Sequence, residues 1–149
     1  MKIVIINGPN LNLLGTREPE IYGNQTLENM MDSLKKEFPQ VDIVSLQSNV
    51  EGEIINWLQQ YGFSADGIII NAGGYTHTSV AIADAVAAIK TPVVEVHISN
   101  ILAREEFRHT SLIAPHSIGI ISGFGLKGYA MAVDYFVNRT DEKMPPNIR

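Results

Sequence analysis

Cysteine is absent from the 149 residues. That excludes a disulfide framework, a thiolate metal site and a thiol nucleophile, and it fits a reducing compartment. Long hydrophobic runs are missing too. The longest apolar reach, Val80 to Ile89, is interrupted by Asp84, so nothing approaches the ~20 apolar residues of a membrane helix. The apolar start, Met1 to Ile6, is too short for a signal-peptide core and runs straight into Asn7-Gly8-Pro9-Asn10. Basic residues are scarce: eleven Lys and Arg face sixteen Asp and Glu, a formal charge of -5. With no basic stripe to neutralise phosphates, no nucleic-acid partner is expected, and no membrane partner either. The expectation is a soluble, cytoplasmic protein.

What is present is a hydrophobic content of 45%, normal for a globular chain. The length predicts one domain over residues 1–149, with a loose tail from about Thr140. Strand-like and helix-like units alternate without a linker. Lys2-Ile3-Val4-Ile5-Ile6 reads as a buried parallel strand. Leu27, Met30, Met31, Leu34 and Phe38 recur at helical spacing behind Thr26 as N-cap, with Pro39 as the stop. Strands are expected at 41–46, 67–71, 92–97 and 118–121. Helices are expected around Ile54 to Tyr61, closed by Gly62, around Ile82 to Ile89 behind Thr78 or Ser79, and around Leu126 to Phe136. Arg104-Glu105-Glu106-Phe107 reads as a single helical turn. Five strands alternating with helices predict one parallel sheet covered on both faces, and the right-handed crossover rule restricts its topology. The flavodoxin-like order 2-1-3-4-5 is preferred to a half-Rossmann arrangement.

In such sheets ligands bind beyond the carboxyl ends of the strands, at the switch point between strands one and three. The polar segments fall there: Asn7-Gly8-Pro9-Asn10-Leu11-Asn12, Asn71-Ala72-Gly73-Gly74-Tyr75-Thr76-His77, and His97-Ile98-Ser99-Asn100. Any one of these could be an ordinary turn rich in Asn and Gly; three converging on one edge point to a site. The loop after strand one, 7–25, far exceeds the two to six residues typical of an α/β connection. It carries Gly8, Gly15 and Gly23 with Arg17 and Tyr22 between them, a composition that suits either a lid or an ordinary surface loop.

Glu95 and His97, two apart on a strand, share a face. A carboxylate beside an imidazole favours its protonated form and orients its tautomer, as a general acid requires. A satisfied core histidine is the alternative. His77 and His97 have no ligand spacing for a metal, and His109 and His116 read as surface residues. Arg104 and Arg108 are one helical turn apart and are expected to face the same way, either to a site or to solvent beside Glu105 and Glu106. Asp84, among alanines, either faces solvent or pairs across an interface.

Two chemistries of this fold class are disfavoured. A phospho-acceptor needs acidic residues where Asn7 and Asn71 stand. A flavin or nucleotide protein needs a phosphate loop or a G-x-G-x-x-G turn after strand one, where the chain is rich in Asn and Leu instead.

Gly8-Pro9-Asn10-Leu11-Asn12-Leu13-Leu14-Gly15, Arg17-Glu18-Pro19 and Tyr22-Gly23 resemble the type II 3-dehydroquinate dehydratases (type II dehydroquinases). So do Asn71-Ala72-Gly73-Gly74-Tyr75-Thr76-His77-Thr78-Ser79, Glu95-Val96-His97-Ile98-Ser99-Asn100 and Arg104-Glu105-Glu106-Phe107-Arg108. The likeness runs in order from the first strand to the last helix; Ala83, Leu102 and Thr110 are departures outside the chemistry. It implies a single catalytic domain that dehydrates 3-dehydroquinate to 3-dehydroshikimate by anti elimination through an enolate, with no cofactor, no metal and no imine lysine. It implies Tyr22 as the base, favoured as phenolate by Arg17, His97 as the general acid and Asn10 as the residue orienting water or the tyrosine. Asn71 and the backbone amides of Ile98 and Ser99 would hold the substrate carboxylate, His77 and Arg108 the ring hydroxyls, and Asp84 would reach the site from a neighbouring subunit. The implied assembly is a dodecamer built from trimers, serving the shikimate pathway. The rival class is a non-enzymatic flavodoxin-like module that binds a small ligand.

Overall fold

A computed structural model of the chain describes residues 1–16, 20 and 24–139. Arg17, Tyr22 and the rest of residues 17–19 and 21–23 of the expected lid, with the tail from Thr140, lie outside the described residues. Five parallel strands, β1 (Lys2–Asn7), β2 (Asp42–Gln47), β3 (Gly67–Asn71), β4 (Val93–His97) and β5 (Gly119–Ser122), form one sheet in the order β2-β1-β3-β4-β5. The helices are α1 (Leu27–Glu37), α2 (Glu51–Tyr61), α3 (Val80–Ala88) and α4 (Lys127–Asn138). This is the flavodoxin-like order expected from the strand and helix pattern.

Side chains alternate across a strand, and that parity builds two separate cores. Ile3, Ile5, Ile69, Val94 and Val96 pack against Met30, Met31 and Leu34 of α1 and Val133 and Phe136 of α4. Val4, Ile6, Ile68, Ile70 and Val93 point the other way, onto Ile54 and Leu58 of α2 and Ile82 and Val86 of α3. Both faces of the sheet interior are buried, which is why these strands are β-branched runs with no polar alternation.

Helix starts follow local chemistry. The Thr26 hydroxyl accepts from Asn29 N at 3.1 Å and caps α1. Of the two candidates ahead of α3, Ser79 is the cap: its Oγ accepts from Ile82 N at 2.9 Å and donates to Glu51 Oε2 at 2.6 Å, so one hydroxyl also ties α3 to the first turn of α2. Gly62 closes α2 as expected, in a right-handed conformation, φ -67°. It is needed for space, since a Cβ would lie 2.3 Å from Ile89 Cγ2 and from the Leu58 carbonyl oxygen. The expected helical turn at Arg104 is two short 3-10 turns, Ile101–Ala103 and Glu106–Arg108, with Arg104 extended between them.

The strand ends that open the switch point are drawn together by backbone. Gly8 N donates to Asn71 O at 2.7 Å. A Cβ on Gly8 would stand 2.5 Å from the Ala72 carbonyl oxygen, against main chain that cannot rotate away. Gly8→Ala is therefore expected to lower folding stability by about 1–3 kcal/mol, the usual cost of overpacking. Urea denaturation followed by circular dichroism checks this, and a wild-type midpoint would mean that the two segments can part freely.

Candidate active site

The three polar segments meet at the carboxyl edge of the sheet around a cavity of about 120 Å³. The segment after β1 supplies Pro9, Asn10, Leu11, Leu13 and Leu14. That after β3 supplies Asn71, Gly73, Gly74 and His77. That after β4 supplies His97, Ile98, Ser99 and Ile101, with Arg104 and Arg108 beyond. Of the ten residues expected at the site, Asn10, Asn71, His77, His97, Ile98, Ser99 and Arg108 line this one cavity. Asp84 does not; it is exposed on α3. Arg17 and Tyr22 fall outside the described residues.

Asn10 is the one described non-glycine with positive φ, 71°. Asparagine tolerates that left-handed conformation better than most residues. Its backbone N–H donates to Asn49 Oδ1 at 3.0 Å, which fixes the turn at the cavity mouth.

Beneath the cavity lies a buried hydrogen-bond chain. Gly73 N donates to Asn71 Oδ1 at 3.2 Å, Asn71 Nδ2 donates to the Tyr129 hydroxyl at 2.9 Å, and that hydroxyl donates to Asn7 Oδ1 at 2.6 Å. A backbone N–H can only donate, so Gly73 sets the direction of the whole chain. Asn7 and Asn71 pair across β1 and β3 and share the parity of Ile5 and Ile69, which aims both amides at α4. One of the two Asn71 amide hydrogens is thus committed to Tyr129, and the residue lines the cavity. Burial pushes the Tyr129 hydroxyl well above its ordinary pKa, against a smaller lowering by Asn71, so it stays neutral.

On the opposite face Glu95 and His97 lie side by side, as their spacing requires. Oε2 of Glu95 is 3.3 Å from Nε2 of His97, but neither atom is in hydrogen-bonding alignment. Glu95 Oε1 accepts from the Ser111 hydroxyl at 2.5 Å. His77 stacks near His97, ring centroids 6.3 Å apart. Its Nδ1 is 2.8 Å from the Thr110 carbonyl oxygen. A carbonyl only accepts, so in neutral His77 the proton sits on Nδ1 and Nε2 is an acceptor.

The two arginines reach the same cavity, though not by a shared helical face. Arg104 Nη1 is 3.4 Å from Ser99 Oγ. Arg108 Nε donates to Glu105 Oε2 at 2.5 Å, which with the charge of the guanidinium holds the exposed Glu105 carboxyl below its ordinary pKa. No carboxylate lines the cavity among the described residues. On a chain of net charge -5, this cleft is cationic and suited to an anion.

Three residues of this site carry no sequence signal of their own. Tyr129 reads as one more apolar residue of the last helix, although a buried tyrosine needs a partner for its hydroxyl. Ser111 lies in an unpatterned segment. Ser122, whose Oγ donates to Ser99 O at 3.1 Å and accepts from Ile101 N at 3.3 Å, is visible only once β5 is placed beside β4.

Fold and cleft define an α/β protein of flavodoxin-like topology with a cationic, histidine-lined cavity at its switch point. Within that class, the model of the dehydroquinase class II family matches residues 1–137, and the chain belongs to that family. It is 53% identical over 146 residues to a 3-dehydroquinate dehydratase of Clostridium perfringens, covering 96% of this chain and 100% of the relative. It is 52% identical over 143 residues to one of Fusobacterium nucleatum, covering 92% and 97%. Its fold is similar to the crystal structure of the type II dehydroquinase from Butyrivibrio crossotus, with a TM-score of 0.89, 48% identity, and 93% and 98% of the two chains covered. The crystal structure of the type II dehydroquinase from Propionibacterium acnes gives 0.87, 40%, 90% and 94%.

Tyr129→Phe removes the hydroxyl and leaves two buried amides short of a partner. Stability is expected to fall by about 1–3 kcal/mol, measured by urea denaturation; an unchanged midpoint would show that the buried chain contributes nothing.

Proposed function

We propose that the protein is a 3-dehydroquinate dehydratase, a carbon–oxygen lyase working by anti elimination. The observation that carries the reading is the convergence of Asn71, His77, His97, Ser99, Arg104 and Arg108 on one small cationic cavity. It joins donors for a carboxylate, partners for ring hydroxyls and a carboxylate-backed imidazole in the space one cyclic polyol acid would fill. Tyr22 takes the proton alpha to the ketone. A free tyrosine has a pKa of about 10, and Arg17 favours its phenolate and the enolate that forms. His97 then protonates the departing hydroxyl. The C–H electron pair becomes the enolate, reforms the ketone and expels the hydroxyl as water, leaving the conjugated enone. Asn10 orients the water or the tyrosine. The Asn71 amide and the backbone N–H groups of Ile98 and Ser99 hold the carboxylate, while His77 and Arg108 hold the ring hydroxyls. The chemistry calls for no cofactor and no metal. The protein would act in the cytoplasm, in the shikimate pathway. No described helix is long and apolar enough to cross a membrane.

Asp84 completes a neighbour's site in this reading, within a dodecamer built from trimers. Its exposure on α3 beside the exposed Ala81, Ala87 and Ala88 supports this, because small side chains allow another chain to approach closely. Exposed Val80 on the same helix and Ile118 and Ile120 along β5 supply apolar surface for such contacts.

Mixing the protein with 3-dehydroquinate is expected to raise the ultraviolet absorbance of the enone. A flat trace with tight binding would favour the alternative, a non-enzymatic binding module. Tyr22→Phe and His97→Ala should keep the fold and lose about 10²–10⁴ in kcat; normal turnover by either removes that residue from its role. For the assembly, light scattering should read a dodecamer. Co-assembled Asp84→Ala and His97→Ala chains should regain activity that neither has alone, since some sites then draw intact Asp84 and intact His97 from different chains. A fully active monomer, or no recovery on mixing, would refute the shared site.

A further inference from the structure

We propose that Ser111 is a positioning residue for the general acid: it holds the Glu95 carboxylate in the orientation that presents His97 to the substrate. The inference rests on the proposed role of His97 and adds a residue to it. Glu95 is 1% exposed, on β4 opposite Ile70 of β3 and Ile120 of β5. A carboxylate so placed needs partners. One oxygen, Oε1, accepts from Ser111 Oγ at 2.5 Å; the other, Oε2, stands 3.3 Å from His97 Nε2.

The Ser111 hydroxyl is itself fixed. It accepts from the backbone N–H groups of Ile113 at 3.2 Å and Ala114 at 3.0 Å. A hydroxyl has two lone pairs and one hydrogen, so with both lone pairs taken its hydrogen goes to Glu95. Ile113 is fully buried in the core on the α3 side of the sheet, which anchors the segment that carries the hydroxyl. With Oε1 pinned there, the carboxylate plane is set and Oε2 falls beside Nε2. His97 thereby keeps a fixed carboxylate beside its Nε2, a 3.3 Å contact short of an aligned hydrogen bond, in the place a second-layer carboxylate takes behind an imidazole, and Nδ1 is the ring nitrogen left for the substrate. Without Ser111 the carboxylate can turn about its own axis, and one buried oxygen loses its donor.

The test is steady-state kinetics of the full chain on 3-dehydroquinate for Ser111→Ala, Ser111→Cys and Ser111→Thr, with circular dichroism melts of each. Ser111→Ala and Ser111→Cys are expected to lower kcat by about 10- to 100-fold, with KM within about twofold because the groups that bind the substrate are untouched. Ser111→Thr keeps the hydroxyl and should return kcat to within a few-fold of wild type. In a Glu95→Gln background, Ser111→Ala should cost little more, since its effect runs through that carboxylate. The proposal is overturned by wild-type kcat in Ser111→Ala, by a rise in KM alone, or by a full further loss on top of Glu95→Gln. Should Ser111→Ala not fold, the contrast between Cys and Thr decides: equal kcat for the two refutes it. His97→Ala in the same assay separates the two readings, because normal turnover there refutes the general acid, whereas an inactive His97→Ala beside a normal Ser111→Ala refutes Ser111 alone.

Discussion

The Tyr129 hydroxyl ties helix α4 to the ends of two paired strands, β1 and β3. It accepts from Asn71 at the end of β3, donates to Asn7 at the end of β1, and belongs to α4. Those strands are the two that flank the switch point, and their polar ends have to be buried for the cavity to have a floor. Two primary amides in a dry interior are costly unless their hydrogen bonds are made. The direction imposed by Gly73 N–H satisfies both carbonyl oxygens and leaves Asn7 Nδ2 as the unmatched atom. The Gly8–Asn71 backbone bond and the missing Cβ at Gly8 work on the same join from above. The floor is therefore set by a few hydrogen bonds and one close approach, superimposed on a core that would close with or without them.

Charge is arranged against the average of the chain. Among the described residues no acidic side chain lines the cavity, whose charged lining is Arg104 and Arg108, with His77 and His97 beside them. Glu105 is close but bonded to Arg108 from the exposed side, where it orients the guanidinium while solvent screens much of its charge. Glu95 is the one buried carboxylate among the described residues, set behind His97 and away from the ligand space. The field at an anionic ligand is thus that of the nearby cations, and the net charge of the molecule says little about it.

Most of the fold was legible in the sequence because its signals are local. β-branched runs bounded by Gly, Pro and Asn gave all five strands, and 3.6-residue spacing with Thr26 and Ser79 as caps gave the helices. Six of the cavity residues, Asn10, Asn71, His77, His97, Ile98 and Ser99, were legible for a different reason: topology brings the ends of β1, β3 and β4 to one edge, while Arg108 and the roles of the set rested on the family resemblance. What failed depended on conformation that spacing does not encode. Arg104 and Arg108 do share the cavity, yet an extended residue between two 3-10 turns takes them there in place of a helical face. Ser111 and Tyr129 were invisible because their meaning is a partner far along the chain, 16 residues away in one case and 122 in the other.

The two buried polar systems stand in the same relation to the sheet as the two cores. Odd-numbered positions of β1 and β3 carry the isoleucines of the α1/α4 face and end in Asn7 and Asn71. The odd-numbered positions of β4 begin with Val93 on the α2/α3 face and end in Glu95 and His97. Each strand thus changes from apolar to polar within one side-chain repeat of its carboxyl end, without changing face. The Asn71 amide is bonded to α4 on one side of the sheet, and Glu95, beside His97, is bonded to the 111–114 segment on the other. The cavity forms where the sheet stops separating them. Because the supports lie on opposite sides of a close-packed layer and share no hydrogen bond, the two can be disturbed independently, as distant sites without common partners generally are. In the proposed elimination, this arrangement would keep Asn71, as the ligand-holding group, and His97, as the proton donor, in register through the sheet, so that neither needs to move for the other to act.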